Sequence, residues 1–577
     1  MLNNIKNRPS KAVLLLVFVI ACVLMALFAV FRYIPGSRWG RFSEVYNINE
    51  GRAAVFYNGH YIKTDTFFKD GFAYIDIDSV TDNLNAGFYY SDEGQLIYVS
   101  PSSVVEAFSG ENRYRIGDEI KETDYKVFIV EDDRVYICLN YVIEFSNISK
   151  RVYAEPDRVL LNDSVRDYRQ GVLKKNEYVR RYAGIKSLIM DEAVKGDSVE
   201  ILDEVDNWYL VQTTGGYVGY IRARAVKDII PVSETEKKAD CVFPFQGDGR
   251  KQCVVWHQVF NIEDNNTLER YLEGTKGITA VSPTWFSLSD NEGNISSLAS
   301  HEYVAKAHEL GLKVWALVDD FNKELDLYTI FYSTKARQNI ISCLMNAAAD
   351  YGFDGINIDF ENIKRDFAAD YLEFLRELSF ECHRRGLVLS VDNYVVSSGR
   401  PWYNLSEQSS VVDYVIIMGY GEHWKQNEPG SNASLPFTVK GAADASQRVS
   451  SERLIYALPF YMQVWTLAPE DEAAEIEEDD YSDYGRYAVT SRSIGMAAAK
   501  ELLSENNAGV EWDAGLGQYY GEFKKDDTIN RIWLEDAESL KTKLDAVGNY
   551  DMAGVAFWKL GMETDDVWDV IISYLNS

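Results

Sequence analysis

"DGINIDFEN", Asp354 to Asn362, has the apolar spacing of a core strand yet carries three acidic residues and two asparagines. An unpaired carboxylate removed from water is costly, so an ordinary core strand would hold Val, Ile or Leu at most of these positions. Side chains alternate between the two faces of a strand. Asn357, Asp359 and Glu361 therefore share one face, and Ile356, Ile358 and Phe360 share the other. Asp354 is out of phase with the polar set and is assigned a structural role.

The surroundings of this strand give it a place. From Lys251 onward, apolar strand-like runs alternate with helical patterns such as "TKARQNIISCLMNAAADYG" and "AADYLEFLRELSFECHRRG". The runs are Val254 to Phe260, Ile278 to Leu288, Lys313 to Phe321, Asp354 to Glu361, Val388 to Val395, Val412 to Tyr420, Leu454 to Tyr461 and Gly554 to Leu560. Eight strands interleaved with helices point to an α/β fold, the (β/α)8 TIM barrel, whose usual size is about 250 residues before insertions. The stretch between Tyr461 and Gly554 is long enough for an inserted α+β subdomain. A doubly wound open sheet is the alternative, but no GxGxxG follows the first strand. In a barrel the apolar face of "DGINIDFEN" suits the helix layer. The polar face then lines the interior, with Glu361 at the C-terminal end of the strand, where barrel enzymes keep their active sites.

With Asp359 and Glu361 in that position, the strand resembles the DxxDxDxE signature of the family 18 glycoside hydrolases, the chitinase-like enzymes. The resemblance covers Lys251 to Ser577 and takes in "MGY" at the sixth strand, "SVDNY" at the fifth, "LPFY" at the seventh and "AFWKLGMETDDVW" at the eighth. Within the family it is similar to the bacterial branch containing spore-cortex-lytic glycosylases that act on peptidoglycan. The resemblance implies substrate-assisted, retaining catalysis, in which the sugar's own acetamido oxygen is the nucleophile. It implies Glu361 as the acid that protonates the leaving oxygen, Asp359 as the carboxylate that orients the acetamido group, and Tyr420 as a hydrogen-bond donor to that group. Neighbouring carboxylates raise one another's pKa, which favours a protonated Glu361. Trp558 matches the aromatic floor of the sugar subsite, and Asn357, Asn393 and Tyr394 are further expected substrate-binding residues, with packing at the strand end as the alternative for Asn393 and Tyr394. Two departures stand out: Asn357 replaces an Asp common in chitinases, and Gly421 follows Tyr420 where Asp is common, with Glu422 expected to compensate. The rival function is a chitinase-like lectin that holds glycan without cutting it. Gly421 favours that reading, and the presence of Glu361 opposes it. Trp285, Trp315, Trp424 and Trp465 are candidate sugar platforms.

Upstream of the barrel the pattern is different. Ala12 to Phe31, "AVLLLVFVIACVLMALFAVF", is an unbroken apolar run preceded by Lys6, Arg8 and Lys11. About 20 apolar residues are enough to cross a bilayer as a helix. No small-residue cleavage site is evident, so residues 1–35 read as a cytoplasmic tip and an uncleaved transmembrane signal anchor. A lipoprotein box at "VIAC", ending at Cys22, is the alternative, and the apolar run continuing past Cys22 opposes it. Residues 36–165 form a β-rich module resembling the stalk repeats at the N-terminus of copper amine oxidases. Residues 166–232, with "KGDSVEIL", "NWYLVQT" and "GYVGYI", resemble a bacterial SH3-type barrel. Residues 233–250, which begin within the polar stretch "PVSETEKKAD" (231–240), read as a linker, and 251–577 as the glycoside hydrolase-like barrel.

Composition narrows the partners. A net charge of −31 over 577 residues argues against a nucleic-acid ligand, because phosphate affinity rests on clustered Lys and Arg. The 38 Tyr and 12 Trp suit both packed β modules and stacking on sugar rings. Six cysteines and six histidines show no ligand spacing, so neither a metal nor another cofactor is expected; a Cys241 to Cys253 bridge is conceivable. The expectation is a single-pass membrane protein with an extracellular catalytic domain. Its expected partners are cell-wall polysaccharide, either peptidoglycan or a chitin-like oligomer, and the membrane.

Overall fold

The computed structural model describes residues 11–237, 239, 243–395, 401–424, 428–469, 482–484 and 487–577. It divides into two compact units: Met1–Phe88, Ala107–Tyr114 and Ile120–Asp240 form one, and Tyr89–Glu106, Arg115–Glu119 and Cys241–Ser577 form the other.

In the second unit eight parallel strands close on themselves. They are β1 (Gln252–His257), β2 (Ala280–Leu288), β3 (Lys313–Asp319), β4 (Gly355–Asp359), β5 (Val388–Tyr394), β6 (Tyr414–Met418), β7 (Leu454–Pro459) and β8 (Gly554–Trp558). Each pairs with its sequence neighbour from β1 to β7; β8 pairs with both β7 and β1, and that last contact completes the ring. This is the expected TIM barrel. Most strands are a residue or two shorter than the sequence runs, and β4 stops at Asp359, which leaves Glu361 just beyond its end.

The alternation in the sequence explains how the barrel fills. Ile356, Ile358 and Phe360 join the helix-side core with residues of the helices Thr334–Tyr351 and Ala368–Arg385, such as Leu344, Phe374 and Leu378. The axis is plugged by a separate apolar layer that includes Trp256, Trp315, Leu317, Tyr414 and Ile416, with Trp315 stacked on Tyr414 at a centroid distance of 5.3 Å. Polar residues at the strand ends thus sit on a closed apolar floor.

Gly554 shows how tightly the ring closes. It is registered with Gln252 on one side and Ile455 on the other, and a Cβ there would lie 2.1 Å from the Gln252 carbonyl oxygen. Backbone on both flanks cannot yield as a side chain can. Gly554→Ala is expected to destabilise the fold by about 1–3 kcal/mol, the usual cost of overpacking. Denaturant unfolding checks this, and an unchanged midpoint would contradict it.

Between β7 and β8 the chain builds a six-stranded antiparallel sheet, from Tyr461–Pro469 to Thr528–Leu534, with helices Met496–Glu505 and Ala537–Val547. This is the inserted α+β subdomain.

In the first unit a seven-stranded antiparallel sheet runs from Val165–Leu173 to Val226–Thr235 around Val179, Val199, Ile201, Val211 and Ile221. Two four-stranded sheets precede it in the chain, one built on Ala54–Tyr57 and Arg158–Asp163 and the other on Phe72–Asp76 and Arg134–Cys138. Lys11–Tyr33 is helical, and the side chains described in it are those of Leu15 to Met25, Arg32 and Tyr33. Among the described residues no helix is long and apolar enough to cross a membrane. Residues 233–250, expected as a linker, are partly structured. Ser233, Glu234 and Thr235 pair with Asp167, Arg166 and Val165, and the buried Phe243 accepts a hydrogen bond from Arg453 on its carbonyl. Cys253 is a free, buried thiol, and Cys241 lies outside the described residues.

Candidate active site

A cleft of about 560 Å³ opens at the C-terminal ends of the barrel strands. Asp359 and Glu361 both line it, as the two-residue period of β4 requires. Trp558 from the end of β8 and Tyr420 from just beyond β6 line it as well. Tyr394 at the end of β5 lines it too, so residues singled out on four strand ends are brought together.

Each is held by identifiable neighbours. The Glu361 carboxylate accepts a hydrogen bond from the Tyr394 hydroxyl, and its carbonyl accepts one from Tyr403 at 3.1 Å. Its backbone N–H donates to Asp320 Oδ1 at 3.1 Å, while Asn362 N–H donates to Asp320 Oδ2 at 3.0 Å. Asp320 is almost fully buried, so this carboxylate fixes the turn that carries Glu361. Trp558 packs against Trp256 at 5.9 Å, and Tyr420 meets Tyr461 edge-on at 6.1 Å.

The electrostatics of the cleft are acidic. Burial, reinforced by the charges of Asp392, Glu361, Asp320 and Asp319, raises Asp359 well above the usual carboxylate range. Burial is also the main reason Asp392 is raised. The hydroxyl of Tyr420 is held protonated by burial and by the neighbouring Tyr461, Asp359, Asp392 and Glu361. A phenol kept neutral beside carboxylates is available as a hydrogen-bond donor. Such a site favours developing positive charge in a substrate, and aromatic walls suit the apolar faces of sugar rings.

Three expected substrate-binding residues are placed elsewhere. Asn357 is fully buried: its Oδ1 accepts from Trp256 Nε1 at 2.8 Å and Ser282 Oγ at 3.0 Å, and its Nδ2 donates to Ser390 Oγ and Asp392 Oδ1. It supports the floor beneath the cleft. Asn393 has the opposite phase to Asp392 and Tyr394 on β5, and exchanges two hydrogen bonds with Gln408 of the helix Leu405–Val411. It packs the helix layer. Glu422 accepts from the backbone N–H of Ser434 at 2.7 Å and from its hydroxyl at 2.9 Å, where Ser434 caps the helix Leu435–Ser446. Its carboxylate is committed to that helix end and does not replace the missing Asp at position 421. Gly421 itself has φ of +79°, a left-handed conformation that favours glycine over Asp, and its N–H donates to Asn432 Oδ1. Among the tryptophans, Trp285, Trp315 and Trp465 are buried in cores, and Trp424 is half exposed. Asp354 bonds His308, Lys313 and the Val314 N–H on the outer side of the barrel, a structural role.

The sequence reading did not single out Asp392, Tyr461 or Asp319, which also line the cleft. The signal for Asp392 was present. Leu389 and Val391 face the helix layer, so Ser390, Asp392 and Tyr394 have to face the axis.

Residues 257–563 match the family model described as "Glycosyl hydrolases family 18", and residues 175–227 match "Bacterial SH3 domain". Among curated proteins, the uncharacterized glycosylase YvbX of Bacillus subtilis is 22% identical over 306 residues, covering 51% of this chain and 84% of that protein. The cortical fragment-lytic enzyme of Bacillus subtilis is 23% identical over 250 residues, covering 42% of this chain and 54% of the enzyme, about half its length. Among solved structures, a C-terminal domain described as that of a Desulfitobacterium hafniense DCB-2 chitinase superposes with a TM-score of 0.50 at 20% identity, over 57% of this chain and 99% of that domain. At that identity the superposition speaks to the fold. The family model spans more than half of the 577 residues and includes β4 with its acidic motif, so the chain belongs to the glycosyl hydrolases of family 18.

Proposed function

We propose that this protein cleaves β-1,4 bonds of an N-acetylglucosamine-containing cell-wall glycan, peptidoglycan in the first instance, by substrate-assisted catalysis with retention of configuration. The observation that carries this reading is the meeting of Glu361, Asp359 and Tyr420 at the mouth of one aromatic-walled cleft. In the proposed reaction Glu361 gives its proton to the leaving glycosidic oxygen while the substrate's acetamido oxygen attacks the anomeric carbon from the other face. Asp359 orients the acetamido group and faces the positive charge that develops on it. Tyr420 donates a hydrogen bond to the same group. Water activated by the now ionised Glu361 then opens the cyclic intermediate, and two inversions give net retention.

Peptidoglycan is favoured over chitin by the similarity to the cortical fragment-lytic enzyme and by the match of residues 175–227 to a bacterial SH3 domain. The apolar run Ala12 to Phe31 supports an anchor that keeps the barrel outside the cell membrane, with the stalk-like and SH3-type modules as wall-facing spacers. The test is release of reducing ends by the purified chain from peptidoglycan and from a chitin oligomer. Release from peptidoglycan is expected. Binding to either polymer with release from neither would overturn the hydrolase reading and leave a lectin.

A further inference from the structure

Beside Asp359 stands a second buried carboxylic acid for which the roles above leave no use. The last registered pair between β4 and β5 is Ile358 with Val391, so Asp359 and Asp392 are the next residues along two neighbouring strands. Both have the inward phase and both line the cleft. Asp359 is 5% exposed and Asp392 3%. Asp392 Oδ1 is satisfied by Asn357 Nδ2 at 2.8 Å. Asp392 Oδ2 and Asp359 Oδ1 are buried and have no hydrogen-bond partner among the described residues.

Orphaned buried oxygens on adjacent carboxyls need an explanation. Two ionised carboxylates on neighbouring strands, out of water, would repel strongly, and carboxyls in that position ionise one at a time. Among the described residues, the groups acting on them offer no relief. They are Asp319 and Asp320 at the end of β3, Glu361 beyond β4, Tyr420 beyond β6 and Tyr371 of the helix Ala368–Arg385, with Tyr394 at the end of β5 also facing Asp359. All are acidic or phenolic. Asn357, the residue of β4 nearest below Asp359 on the same face, has both amide hydrogens committed, to Ser390 and Asp392, and its oxygen already accepts twice. It has no proton to share.

We propose that Asp359 and Asp392 hold one proton between them, bridging the two orphaned oxygens, and that Asp392 is the proton partner of Asp359 in the reaction. The catalytic part of this inference rests on the function proposed above. In the resting cleft the pair carries a single negative charge. As positive charge develops on the substrate next to Asp359, the proton shifts to Asp392 Oδ2 and leaves Asp359 fully anionic where the charge is needed. When the product is released the proton is shared again, so none is gained or lost.

Asp392→Asn in the full chain separates this role from packing, because Asn Oδ1 still accepts from Asn357 Nδ2 and the volume is unchanged. Infrared titration of 13C-aspartate-labelled protein, taken as a difference against Asp359→Asn, reads the pair directly. In the unmodified protein Asp359 is expected to titrate in two coupled steps, the second well above the ordinary carboxylate range. In Asp392→Asn, loss of the like charge collapses this to a single step at least about one pH unit lower than that second step. The pH profile of kcat is expected to lose its matching alkaline limb, with KM little changed. A single ordinary carboxylate step for Asp359 in the unmodified protein overturns the proposal, even if the variant fails to fold. So does a variant that melts earlier but keeps the same titration and pH profile, since that marks Asp392 as packing alone. If the unmodified chain cuts no glycan, the proposed function fails, and the infrared titration still decides whether the proton is shared.

Discussion

Glu361→Gln is expected to lower turnover on the cleaved polymer by about 10²–10⁴-fold, the usual contribution of a positioned general acid, while leaving the fold and glycan binding intact. The amide has the shape of the protonated acid but no proton acidic enough to give to a leaving alkoxide. Nothing that positions residue 361 is lost with the carboxyl. The Tyr394 hydroxyl can still donate to the amide oxygen, Asp320 still accepts the backbone N–H, and Tyr403 still donates to the carbonyl. The loss should therefore fall on kcat, with the affinity for an uncleaved oligomer close to that of the unmodified chain. Reducing-end release, a binding isotherm and a melting curve on the same preparation check all three statements. Turnover within a few-fold of the unmodified protein would remove Glu361 as the acid.

The largest stability effect is expected from Lys543→Met. Lys543 and Glu535 form an ion pair in which both side chains are fully buried. Glu535 also accepts from Gln518 Nε2 at 2.7 Å and Ser539 Oγ at 2.8 Å, and Gln518 accepts in turn from Ser431. Burial pushes Glu535 up and Lys543 down, and their pairing opposes both shifts. Removing the lysine leaves a buried charge without its partner, at a cost of about 3–5 kcal/mol. Without Lys543 the folded-state pKa of Glu535 rises further above its unfolded value. The folded state then binds more protons than the unfolded one, so the deficit is greatest at alkaline pH and shrinks as pH falls towards the carboxylate range. Urea unfolding at two pH values tests the size and the sign; an equal deficit at both would contradict the assignment. Replacing both partners, Lys543→Met with Glu535→Leu, should recover much of the loss. Ser431 adjoins Asn432, which accepts the Gly421 N–H at the cleft, so Lys543→Met is also expected to loosen one wall of the site.

The two-residue period of a strand made the centre of this site legible. It places Asp359 and Glu361 inward and Ile356, Ile358 and Phe360 outward, and the eight-strand alternation places them at the mouth of a barrel. The same rule applied to β5 selects Asp392 and Tyr394 for the cleft. Asn393 and Tyr394 are neighbours and cannot share a face, so of that expected pair only Tyr394 reaches the site. Asn357 had the right phase but the wrong depth: a strand pattern gives the face of a residue, and the layer it occupies depends on how far the neighbouring strands extend. Glu422 could not be placed from sequence, because its partner Ser434 is a helix cap 12 residues away across a loop. Gly421 counted against full activity in sequence; in the structure it holds a left-handed φ of +79°, which glycine adopts without side-chain strain. Asp320 was invisible for a related reason, since two of its three hydrogen bonds come from backbone N–H groups beyond another strand, which leave no mark on the sequence, and the third comes from the Asn362 side chain 42 residues away.

The most direct test of the proposed chemistry is the anomeric configuration of the first product. Proton NMR on a defined N-acetylglucosamine oligomer or muropeptide that the chain cuts, recorded before mutarotation, distinguishes the two anomers at the new reducing end. The β anomer should appear first and decay towards the equilibrium mixture, as retention through the acetamido group requires. Initial appearance of the α anomer would mean direct attack by water, and would contradict the assignment of Asp359 and Glu361 to a substrate-assisted reaction.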